Sequence, residues 1–96
     1  MPSLDFSAAL EILRHYGAYD WLTKSGQTLW SVTEIVDNLE QQGAPIKRAT
    51  IVHWIEQGHF PGAQDFEGRI GWRIQREDLI LFFAQRMRGV EEKDIG

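Results

Sequence analysis

The chain has 96 residues, net charge −4, no cysteine, 43% apolar and 25% charged residues. These values fit one folded domain with a modest core and exclude disulfides, thiolate metal sites and wholesale disorder. No stretch approaches the ~20 apolar residues of a membrane span, and the opening MPSLDFSAALEIL lacks the basic start and long apolar run of a secretory signal, so a cytoplasmic protein with no membrane partner is expected.

In chain order, Phe6, Ala9, Leu10, Leu13 and Tyr16 have the spacing of one helix face over residues 4–16, and Gly17 is a stop. A second short helical turn over 18–24 carries Tyr19, Trp21 and Leu22 and ends at Ser25-Gly26; one bent helix fits the spacing equally. Ser31-Val-Thr-Glu34 fits a capping box, with Trp30 and Ile35 at the staple positions on either side of the cap. The stripe Val32, Ile35, Val36, Leu39 predicts a helix to about Gln42, ended by Gly43-Ala-Pro45.

Residues 47–57 predict another helix. Ile51, Trp54 and Ile55 form its buried stripe, with Val52 beside them, while Ala49, Thr50, His53 and Gln57 point the other way at about 100° per residue. Gly58 and Pro61 stop it. Between residues 63 and 74, Ile70, Trp72 and Ile74 alternate with Arg69, Gly71 and Arg73 after a turn at Glu67-Gly68, which predicts a β-hairpin with apolar residues inside and arginines outside. The last helix is expected from Arg76 to about Met87, and Leu79-Ile-Leu-Phe-Phe83 is apolar on more than one side. Gly89 is expected to end it, leaving 89–96 as a frayed acidic tail. The first and last helices are expected to meet and close the core; the alternative use of so much apolar surface is a dimer face.

Charge is uneven along the chain. Residues 1–43 carry six acids and two bases, net −4; residues 44–76 carry five bases (Lys47, Arg48, Arg69, Arg73, Arg76) and three acids, net +2; residues 77–96 return to −2. Segregation of this kind can mark a face for a polyanion, or can be ordinary fluctuation.

The order helix, turn, helix, hairpin, helix is a winged helix-turn-helix layout, a mainly α fold with a small β-hairpin (α+β). SVTEIVDNL, IKRATIVHWIEQGHFPG, GWRI and REDLILFF, taken in order over roughly residues 31–84, resemble the excisionase/MerR-type DNA-binding domain. The resemblance implies a DNA-binding domain over 30–88 whose second helix reads the major groove. Residues 1–29 lie outside it, as an added helical extension packed on the domain or dimerising it. Two features depart from the family. The connection EQQGAPI is longer than its tight turn, and Lys47 stands where a capping serine is usual, so no side-chain acceptor is expected there.

Within this frame the candidate DNA-binding residues are Lys47 and Arg48 at the helix start, Thr50 and His53 on its outer face, and Arg69 and Arg73 on the hairpin. Arginine can pair bidentately with guanine, lysine serves as a phosphate charge, and a wing arginine suits a narrow minor groove. Arg73 has Glu77 or Asp78 as alternative partners. Trp30, Trp54 and Trp72 sit at core spacings rather than as stacking platforms. His53, His59 and Asp65 are too few and too widely spaced for zinc, and no nucleophile–base pair, carboxylate pair or phosphate-cradling loop stands out, so neither a cofactor nor an enzymatic role is expected. The implied partner is double-stranded DNA, bound as a homodimer or array because one such module supplies limited contact area, with a recombinase or another protein as a further partner. The resemblance leaves open an excisionase-like recombination factor or a transcriptional regulator. A different class also fits the acidic total: a winged-helix adaptor that binds protein and not DNA.

Overall fold

The structure is a computed structural model that describes residues 5–17, 19–66 and 71–95. It is a small α+β domain. Among the described residues the order is α1 (Phe6–Tyr16), α2 (Asp20–Thr23), β1 (Leu29–Ser31), α3 (Val32–Gln41), α4 (Arg48–Glu56), β2 (Gln64–Asp65), β3 (Trp72–Gln75) and α5 (Arg76–Ile95). The three strands form one antiparallel sheet in the order β1-β3-β2.

The helix starts are set by local chemistry. Asp5 caps α1 by accepting from the Ala8 N–H at 2.8 Å, satisfying one of the donors a helix start leaves open. At α3 the expected capping box is complete: Ser31 Oγ accepts from the Glu34 N–H at 3.1 Å and Glu34 Oε1 accepts from the Ser31 N–H at 2.9 Å. Lys47 caps α4 with no side-chain hydrogen bond, as its lack of an acceptor requires. The connection between α3 and α4 turns at Gly43, whose φ of 88° is cheap for glycine alone. There the Ala44 N–H reaches back to the Leu39 carbonyl at 2.9 Å.

Strand β1 is an addition to the sequence reading, which placed Trp30 only as a staple before α3. Three residues are too few to show a period, and the strand exists through its register with β3, Trp30 opposite Ile74 and Ser31 opposite Arg73. Its free edge is closed by side chains. The Leu29 carbonyl accepts from Gln27 Nε2 at 2.8 Å, and the Ser31 N–H is taken by Glu34, so little remains for another strand to pair with.

In the hairpin, β2 pairs with β3 through Gln64–Arg73 and Asp65–Trp72, and the Phe66 N–H donates to the Gly71 carbonyl at 3.1 Å. Ile74 is fully buried and Trp72 half-buried, which keeps the inward side of the expected alternation. The turn Glu67-Gly68, Arg69 and Ile70 lie outside the described residues. Gly89, expected to end the last helix and open a frayed tail, lies inside α5, which runs on to Ile95. An interior glycine costs only about 1 kcal/mol, and nothing in the following VEEKDI forbids helix.

One core runs through the molecule. Ile35 and Leu39 of α3, Ile51 and Ile55 of α4, Ile74 of β3, and Leu79, Ile80, Phe82, Phe83 and Ala84 of α5 join Ala9 and Leu13 of α1 and Leu22 of α2. The all-round apolar run in α5 is explained by its two partners. Its one side receives α1 and α2, with Tyr19 stacked on Phe83 at 4.6 Å. Its other side meets Trp54 and Phe60 through Phe82, at 4.7 and 5.0 Å between ring centroids. The first and last helices thus meet, as expected. Asp78 ties the loop after α4 to α5 by accepting from the Gly62 N–H at 2.7 Å, and a Cβ at residue 62 would come within 2.8 Å of that oxygen.

Candidate functional site

Of the candidate residues, Lys47, Arg48 and Thr50 lie at the N-terminal end of α4, and Arg48 and Arg73 lie beside the first turn of α3. Helix α4 lies on α3 through Ile51 and Ile55, both buried, with Trp54 half-buried and packed against the core. Ala49, His53, Glu56 and Gln57 are consequently exposed on the outer side. Thr50, expected on that outer side, is half-buried on the flank, because a position 100° from the centre of the buried stripe lies at its margin. Among the described residues, the N-terminal extension does not cover this face: α1 and α2 lie against α5.

Lys47 and Arg48 are exposed at the helix start. Neither has a carboxylate partner among the described residues. Two cations beside the partial positive charge of a helix start are locally unfavourable and become favourable when an anion arrives. The far end of the exposed face carries Glu56, so the positive character is concentrated at the N-terminal end.

Arg48 Nη1 donates to Thr33 Oγ1, one residue into α3. Thr33 escaped the sequence reading because nothing in a capping box singles out its second helical position; its role depends on where α4 lands. The next residue, Glu34, is held below the usual carboxylate range, chiefly by the Ser31 N–H, then by the Gln27 amide, which donates to Oε2 at 2.9 Å, with a smaller contribution from the nearby Arg73 guanidinium.

Arg73 differs from expectation. It sits in the central strand, half-buried rather than projecting freely, and its Nη1 donates to the Trp72 carbonyl at 3.1 Å. A central strand has neighbours on both edges, which leaves its side chains less room than those of a two-stranded wing. Thus Arg48 and Arg73, from separate elements, both reach the first turn of α3, while His53 lies farther along α4. Arg69, the hairpin candidate nearest the tip, lies outside the described residues. Of the tryptophans placed in the core, Trp30 is buried and Trp54 and Trp72 are half-buried against it.

Chemically, Lys47 and Arg48 offer ammonium and guanidinium donors on an exposed helix start. It is suited to an extended anion and not to enclosing a small molecule. Comparison of the chain with family models, with curated proteins and with solved structures gives no match.

Proposed function

We propose that the protein is a winged helix-turn-helix protein that binds double-stranded DNA sequence-specifically, with α3 and α4 as the helix-turn-helix and β2–β3 as the wing. Helix α4 enters the major groove by its N-terminal end, Arg48 and Lys47 take phosphates or guanine edges, and Arg73 follows the flanking backbone. The observation that carries this reading is the pair Lys47 and Arg48, exposed without a carboxylate partner among the described residues, on a helix whose outer side the described residues of α1 and α2 leave free. The biological setting that fits is an excisionase-like recombination factor or a transcriptional regulator.

The test is titration of random-sequence duplex DNA at two salt concentrations. Binding weakens steeply as salt rises, and the double variant Lys47→Ala/Arg48→Ala loses roughly tenfold per cation, with a shallower salt dependence. Absence of binding at low salt, together with a mass that grows with protein concentration, overturns the reading in favour of a protein-interaction adaptor.

A further inference from the structure

The cations considered so far lie on one flank of α4, toward α3. The other flank carries a cation that the sequence pattern did not suggest. Arg86 of α5 is exposed, and its guanidinium carbon stands 4.9 Å from the centre of the Trp54 ring and 5.3 Å from that of Phe82. Trp54 is an α4 residue, so Arg86 is held against α4 although it belongs to another helix. Stacking on an aromatic face attracts the guanidinium and limits its rotamers without neutralising it.

One helical turn away on α5 stand Phe82, Phe83, Gly89 and Val90, none acidic, and Arg86 has no carboxylate partner among the described residues. Its one polar neighbour of note is Tyr19, whose hydroxyl is pushed up by burial and pulled back in part by the Arg86 charge. A cation fixed on an aromatic platform, exposed and without a carboxylate partner among the described residues, is poised for an anion from outside.

Geometry says which anion. Arg48 and Trp54 are six residues apart on α4, which puts them about 120° apart around the helix and about 9 Å apart along it. The helix therefore carries one cation on each flank, Arg48 at its N-terminal end and Arg86 farther along. A major groove about 12 Å wide is walled by phosphates on both sides, and a helix lying in it presents its two flanks to the two walls.

We propose that Arg86 is a second-flank phosphate contact, clamping the duplex backbone on the side of α4 opposite Arg48. This rests on the DNA-binding reading above. Its contact is to the backbone, so it strengthens binding to all sequences alike.

The experiment compares wild type, Arg86→Gln, Arg86→Lys and Arg48→Ala on random duplex DNA over a salt series, with thermal unfolding recorded for each. Arg86→Gln is expected to weaken binding roughly tenfold near 0.1 M salt and to lower the slope of log K against log salt by about 1. Arg86→Lys keeps the slope, because it keeps the charge. A purely structural Arg86 gives the opposite pattern: Arg86→Gln lowers the melting temperature and leaves the slope at the wild-type value, which overturns the proposal. Wild-type protein that binds no duplex at low salt removes the DNA reading itself and this inference with it. The two failures are distinguished by whether wild type and Arg48→Ala differ.

Discussion

The junction of α2 with α5 and the start of α4 each carry one arginine, and use it in opposite ways. In the first, Arg76 turns inward. Its Nε donates to the Leu22 carbonyl at 3.0 Å and its Nη2 to the Thr23 carbonyl at 2.9 Å, closing the C-terminal end of α2, while Phe6 lies 5.9 Å beneath the guanidinium. In the second, Arg48 turns outward and meets a single exposed hydroxyl. The same side chain is structural mortar in one place and a free charge in the other. What decides is whether the neighbourhood holds orphan carbonyls. In α2 the Lys24 N–H takes the Asp20 carbonyl and Arg76 takes those of Leu22 and Thr23, as the open carbonyls of a helix end require, whereas the start of α4 has only donors to offer.

The contrast breaks most sharply by truncating each arginine. Arg76→Ala strands two carbonyls, and charge-assisted bonds of this type are each worth a kilocalorie or more, so stability is expected to fall by about 2–3 kcal/mol and the melting temperature by roughly 10–15 °C. Arg48→Ala is expected to change stability by no more than about 0.5 kcal/mol, as exposed substitutions usually do. Thermal and urea unfolding of both variants measures this. Equal losses would make Arg48 structural too, and the division between the two places would disappear.

How much of this division was legible in sequence depends on how local its causes are. The capping box at Ser31 and Glu34, the stop at Gly17 and the missing acceptor at Lys47 are matters of one or two turns of chain, and each is found where the residue types imply it. Strand β1, the half-buried setting of Arg73 and the inward turn of Arg76 depend on partners far along the chain: β3 for the first, both neighbouring strands for the second, and α2 for the third. No periodicity carries that information. The same holds within the candidate site. Lys47 and Arg48 were legible because they begin a helix, whereas Thr33 and Arg86 belong to other helices and matter only because of where α4 packs. Helix α5 shows the limit in another form, since its continuation past Gly89 is a balance of small propensities that a single glycine does not decide.

Glu34 sharpens the comparison with a case in which a carboxylate rather than an arginine is consumed by structure. Glu34→Ala removes the acceptor for the Ser31 N–H and for Gln27, at an expected cost of about 1 kcal/mol at neutral pH. The sign of the pH dependence follows from the lowered pKa of Glu34. A carboxyl whose folded pKa lies below its unfolded one stabilises the fold at pH above the ordinary glutamate range. That contribution disappears as pH falls through the folded value. The stability gap between wild type and Glu34→Ala should therefore be widest near neutrality and narrow progressively in acid. Urea unfolding at a series of pH values reads it, and a gap independent of pH would mean that the carboxylate charge adds nothing to the cap.

The smallest expected effect concerns the place where the α2–α5 junction leaves a polar group unserved. Thr23 is only 4% exposed, and its hydroxyl finds no hydrogen-bond partner among the described residues, although its own carbonyl is held by Arg76. A buried hydroxyl without a partner keeps its desolvation cost and gains nothing in return. Valine has nearly the same shape and no such cost, so Thr23→Val is expected to stabilise the protein by about 0.5–1 kcal/mol and to raise the melting temperature by a few degrees. A loss of stability would show that an ordered water serves the hydroxyl. In that case the buried side-chain polar atoms described around α2 are all served, and the contrast of the α2–α5 junction with the exposed cations at the start of α4 becomes sharper still.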